Sequence, residues 1–155
     1  MAKKIVIGSD HGGFALKEEI KKSFKKGKWA IKDVGPETSE PCDYPRYGYA
    51  AAKEVSEGRW KKGIVICKSG IGMSIIANKL PGVRAALCLT EKDAIGSRQH
   101  NDANMLVLAA DRSSVNAHIK IVKTWLNTKS LKGRHARRVK QIKEIEKKVF
   151  KKRRK

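Results

Sequence analysis

Acidic residues are scarce in this chain: 15 Asp and Glu stand against 36 Lys and Arg, leaving a formal net charge of +21 and a pI near 10.2. A surface so poor in carboxylates repels cations and draws anions, so phosphorylated small molecules and nucleic acid are the partner classes it favours. The lysines (Lys21, Lys22, Lys25, Lys26 and Lys28, then Lys61 and Lys62, then a dense run from Lys140) are dispersed along the chain. That is the pattern of a solvated surface with nonspecific nucleic-acid attraction rather than a dedicated binding block. Cysteine is limited to Cys42, Cys67 and Cys88, an odd number without metal-ligand spacing. This excludes a disulfide framework and a zinc site, and fits a reducing, cytoplasmic compartment. Long apolar runs are missing, so neither a signal peptide nor a membrane span is expected. Low-complexity linkers and internal repeats are missing as well, and 155 residues suffice for a single domain with a full core.

Against those absences, residues 64–78, I-V-I-C-K-S-G-I-G-M-S-I-I-A-N, are rich in chemistry. An apolar run stops at Cys67, passes through Ser69, Gly70 and Gly72, and resumes as a helical pattern from Met73, which reads as strand, glycine turn and helix. In an open α/β sheet ligands bind at such a place, because the strand delivers side chains to a crevice and the helix start offers free N–H groups. A thiol there faces an anion-binding loop that favours the nucleophilic thiolate. The alternative is a buried structural cysteine.

Apolar β-branched runs alternate with amphipathic patterns throughout. Strands are predicted at residues 4–8, 29–34, 63–66, 83–89 and 104–109. Helices are predicted around Phe14 to Phe24 and over residues 47–57, 73–79, 91–99 and 115–126. Five strands alternating with helices imply an α/β, doubly wound, Rossmann-like parallel sheet covered on both faces. A last segment carries Val139, Ile142, Ile145 and Val149 or Phe150 on one helical stripe with nothing after it to pack on, the pattern of a subunit-contact helix.

Three further constellations are polar. Asp10 and His11 leave the first strand together, where the carboxylate can orient the imidazole, or Asp10 can simply cap the next helix. His100 and Asn101 lie in R-Q-H-N-D before the fifth strand, a candidate acid or base beside an amide, or an idle surface histidine. Arg134 and Arg138 stand one helical turn apart at a helix start, a spacing that suits phosphate and that also arises by accident in so basic a chain.

The motifs S-D-H-G-G-F at residues 9–14, D-Y-P at 43–45, I-C-K-S-G-I-G-M-S at 66–74, S-R-Q-H-N-D-A-N at 97–104 and G-R-H at 133–135 resemble the type B ribose-5-phosphate isomerases, with the galactose-6-phosphate isomerase subunits as sisters. The resemblance implies a sugar-phosphate isomerase domain over residues 1–149 with a basic tail at 150–155. It also implies cofactor-free interconversion of ribose 5-phosphate and ribulose 5-phosphate through a cis-enediolate. The assembly implied is a homodimer or tetramer whose sites are shared between subunits. In that pattern Cys67 is the proton-transfer base, His100 opens the ring, and Ser69 with the N–H groups of Gly70, Ile71 and Gly72 cradles the enediolate. Asp10, His11, Tyr44, Lys68 and Asn101 meet the substrate, and Arg112, Arg134 and Arg138 hold its phosphate. Two residues depart from the family: Lys68 stands where glycine is usual, and Ser69 where threonine is usual. Lys68 is strained if that position needs a positive φ. A branch of the family that uses glutamate after the last glycine is not followed, since Met73 occupies that place. A six-carbon sugar-phosphate isomerase, and a non-catalytic RNA-binding protein on the same scaffold, are the alternatives.

Overall fold

The computed structural model describes residues 3–25, 27 and 29–152. Strands β1 (Lys3–Ser9), β2 (Trp29–Asp33), β3 (Gly63–Cys67), β4 (Ala85–Leu87) and β5 (Met105–Ala109) are separated by helices α1 (Phe14–Phe24), α2 (Tyr44–Ser56), α3 (Ile71–Ala77) and α4 (Glu91–Asn101). Helices α5 (Val115–Asn127) and α6 (Arg134–Lys152) follow. All strand pairs are parallel, in the order β2-β1-β3-β5-β4.

Alternation of side chains divides the core in two. Ile5, Ile7, Ile64, Ile66, Leu106 and Leu108 pack with Ile20 and Phe24 of α1, Ala94 of α4 and Trp125 of α5. Val6, Val65, Cys67, Met105 and Val107 pack with Ala51 and Val55 of α2 and Met73 and Ala77 of α3. Burial on both faces explains why the central strands are apolar without alternation. Each fully buried Ile or Leu contributes roughly 1.5–3 kcal/mol.

From β1 the chain steps to one side of the sheet, and from β3 to the other, so the carboxyl ends of β1 and β3 flank the switch point where open α/β sheets bind ligands. The Asp10 N–H donates to the Ile66 carbonyl at 3.1 Å and ties the two tips together.

The elements differ in detail from the pattern in the sequence. α2 begins at Tyr44 instead of residue 47, because Pro45 suits a first helical turn. β4 spans three residues rather than seven, being an edge strand paired to β5 alone. Short 3₁₀ turns, His11–Gly13 and Ala110–Arg112, interrupt what read as plain loops. The stripe on α6 divides: Val139 is buried, whereas Ile142, Ile145 and Val149 are 46%, 60% and 46% exposed. Residues 150–152 of the expected tail continue α6, and 153–155 lie outside the described residues. Among the described residues no helix is long and apolar enough to cross a membrane.

Candidate active site

Cys67 ends β3, buried, with the turn into α3 folded back over its thiol. The Gly70 N–H donates to Sγ at 3.1 Å, and the Ile71 N–H donates to Ser69 Oγ at 3.3 Å. Two of the three N–H groups expected to cradle an oxyanion are thus engaged inside the loop, one of them on the thiol itself. Gly70 makes this turn with φ +74, and a Cβ there would lie 2.5 Å from Leu87 Cδ1. α3 therefore starts at Ile71, two residues before the apolar pattern resumes.

Residues of neighbouring segments border the same strand tips and turn. Asp10 is buried and accepts from the Gly13 N–H through Oδ1 at 2.9 Å, so it does cap the turn after β1. His11 Nδ1 lies 3.1 Å from the Cys42 carbonyl and 3.2 Å from the Cys42 N–H, donating to one or accepting from the other according to tautomer. Either bond fastens the 35–43 loop to β1. Tyr44, at the start of α2, lays its ring on Gly72, where a Cβ would lie 2.7 Å from the ring carbons. Arg112 is exposed on the turn after β5, and its neighbour Asp111 donates its N–H to the Lys68 carbonyl at 3.1 Å.

Lys68 escapes the expected strain. Among the described residues Asp102, with φ +45, is the non-glycine residue in the left-handed region, so Lys68 is not. Its stem runs across Gly12, its Cγ 2.5 Å from where a Cβ would be.

His100, Asn101, Arg134 and Arg138 do not join this group. α4 runs antiparallel to the strands, from the carboxyl end of β4 to the amino end of β5, and so delivers His100 and Asn101 to the opposite edge of the sheet. There the His100 ring stacks on His135, with centroids 4.4 Å apart and planes 13° apart. Arg134 and Arg138 are exposed on the first turns of α6 beside that pair. His135 of the G-R-H motif is thus held against α4 by the stack. Partial desolvation, then His100, Arg134 and Arg138, hold its imidazole below the ordinary range. A cleft of about 210 Å³ lined by His100, Leu131, His135 and Lys140 opens here. A larger cleft, about 720 Å³ beside Asp33, Pro36 and Tyr47, contains none of the predicted site residues. Among the described residues no three His, Cys, Asp or Glu are grouped to hold a metal ion.

The family model described as Ribose/Galactose Isomerase matches residues 5–142. The chain is 41% identical to ribose-5-phosphate isomerase B of Escherichia coli over 144 residues, 93% of this chain and 97% of that protein. A solved structure of ribose-5-phosphate isomerase B from Clostridium thermocellum is 48% identical with a TM-score of 0.91, covering 94% of this chain and 99% of that one. Another, from Mycoplasma genitalium with bound ribulose-5-phosphate, is 38% identical with a TM-score of 0.90, covering 95% and 98%.

Proposed function

The chain belongs to the ribose/galactose isomerase family and is an isomerase, and we propose that it interconverts ribose 5-phosphate and ribulose 5-phosphate across a site completed by a second copy of itself. The observation that carries this reading is the thiol of Cys67, seated at the sheet's switch point under the Gly70 N–H.

An aldose–ketose isomerase opens a sugar ring, moves a proton between adjacent carbons and holds an anion at the far end. His100 of the partner subunit protonates the ring oxygen as the C1–O bond to it breaks and the anomeric hydroxyl gives up its proton to water, which frees the aldehyde. The Cys67 thiolate then removes the C2 proton to give the cis-enediolate and returns that proton to C1 as the O2 proton passes to O1, leaving the C2 ketone and a C1 hydroxyl. Ser69 and the loop around Gly72 stabilise the enediolate, while Asp10, His11 and the partner's Asn101 orient hydroxyls. Arg134 and Arg138 of the partner subunit take the phosphate, with Arg112 beside them. The exposed Ile142, Ile145 and Val149 form the contact face. Free cysteines throughout accord with a cytoplasmic enzyme.

A six-carbon substrate is the second reading, because the matching family joins ribose with galactose isomerases. Purified protein assayed on ribose 5-phosphate, allose 6-phosphate and galactose 6-phosphate separates the two. Turnover confined to a hexose phosphate, or none without a different subunit, overturns the pentose assignment.

A further inference from the structure

The amino-terminal edge of the sheet carries a basic trough that the isomerase reaction does not use. Two adjoining clefts of about 360 and 370 Å³ share Lys61, Lys62 and Arg98, and extend on one side past Trp60 and on the other past Lys3, Lys4, Trp29 and Lys129. Among the described residues Asp102 is the one acid lining either cleft, and it is already bridged to Arg98 at 2.9 Å and Arg84 at 3.3 Å. Lys3, Lys4, Lys61 and Lys129 are exposed, and none forms an ion pair among the described residues. Lysines often gather at this edge of a parallel α/β fold to offset helix carboxyl termini. Lys129, just past the end of α5, and Lys62, whose ammonium donates to the Leu126 carbonyl at 3.1 Å, fill that role here, whereas Lys3 and Lys4 begin β1 and Lys61 precedes β3. Crowding is costly, since burial together with Arg98 and Lys3 pushes the Lys62 ammonium down to about 8. An anion in the trough relieves it.

We propose that this trough binds single-stranded nucleic acid, lysines taking phosphates and the half-buried Trp60 offering its ring to bases, while the Trp29 ring already lies under the Lys3 ammonium at 5.4 Å. The trough follows strand ends from β2 toward β4, four interstrand steps or about 19 Å, so it suits a chain of phosphates rather than one small anion. A partly exposed indole, Trp60, within the trough favours unpaired bases over a duplex, whose bases are already stacked.

The test measures binding of fluorescein-labelled oligouridylate and oligodeoxythymidylate, and of a duplex of equal length, by anisotropy across a salt series. The double variant Lys61→Glu/Lys129→Glu is expected to lose at least tenfold in affinity for single strands and to flatten the salt slope by about 1.4, the share of two phosphate contacts. Isomerase turnover stays unchanged and reports that the variant is folded. The control Lys92→Glu/Lys120→Glu makes the same change of charge at exposed sites elsewhere and is expected to lose less than threefold. Equal losses in both variants mean diffuse charge attraction and overturn the proposal. Duplex bound as tightly as single strands overturns it too.

Discussion

Because one chain separates the groups proposed for catalysis, complementation between two impaired variants is the sharpest test of the proposed site. β3 is five residues long, so the Cys67 edge and the His100 edge lie about 17 Å apart at 3.3 Å per residue. No side chain spans that distance, and a proton transfer needs heavy atoms about 3 Å apart. Cys67→Ala removes the base from one edge, and Arg138→Ala removes a phosphate contact from the other. Each homodimer carries the same lesion at both sites. In a mixed dimer one site receives both lesions and the other receives none. Equal amounts unfolded and refolded together give about half mixed dimers, each with one of two sites intact, so about a quarter of wild-type turnover returns per total protein. Turnover of ribose 5-phosphate before and after co-refolding, with mixed dimers isolated on two affinity tags, reads the result directly. If base and arginine serve the same subunit, every site in the mixture retains one lesion and nothing returns. Verified mixed dimers without activity would therefore refute the two-edge site.

Other expectations follow from single residues. Cys67→Ala should cut kcat by about 10²–10⁴-fold, the usual loss for a proton-transfer group, with an unchanged circular dichroism spectrum. Gly70→Ala should destabilise the fold by about 1–2 kcal/mol more than Gly58→Ala in thermal melts, because both have positive φ but Leu87 stands in the way of the Gly70 Cβ alone. Glu54 is covered, and bonds to Arg59 and Lys32 hold its carboxyl at about 2 against an ordinary 4.5. A folded value below the unfolded one stabilises above the unfolded value, so this contribution is present above about pH 4.5 and fades as pH falls toward 2. The exposure of both partners holds it to about 1–2 kcal/mol, which a denaturant titration of Glu54→Gln at pH 6 and pH 3 would resolve.

Strand positions, helix positions and the two-faced core were legible because burial on both faces writes itself as apolar runs and helical stripes. Cys67 and its glycine turn were legible for a related reason, since only a strand stopping at a turn produces that sequence. Sheet order was not: β5 inserts between β3 and β4, and no local pattern encodes which parallel neighbour a strand takes. The same gap hid the separation of the predicted site residues. His100 precedes β5 in sequence, and only the antiparallel run of α4 shows that this means the edge away from Cys67. His135 escaped assignment because its partner in the stack lies outside its own helix, on α4.

Lys68 shows how the two kinds of information combine. Glycine at that position in the family raises the fear of a left-handed backbone, yet the left-handed residue of this turn is Gly70, and Lys68 has no such strain. Its stem instead crosses Gly12, which carries its ammonium over the turn formed by His11 and Gly12. A cation there attracts an anionic substrate whether or not it touches the reacting carbons. Lys68→Met keeps the stem and deletes the charge, so folding should change by less than about 0.5 kcal/mol, as at most surface sites. KM for ribose 5-phosphate should rise severalfold while kcat holds, since a contact made equally in ground and transition states alters binding alone. Raising the salt concentration should narrow the difference between Lys68→Met and the wild type. Equal KM values for the two proteins at low salt would make Lys68 a bystander that the turn merely tolerates.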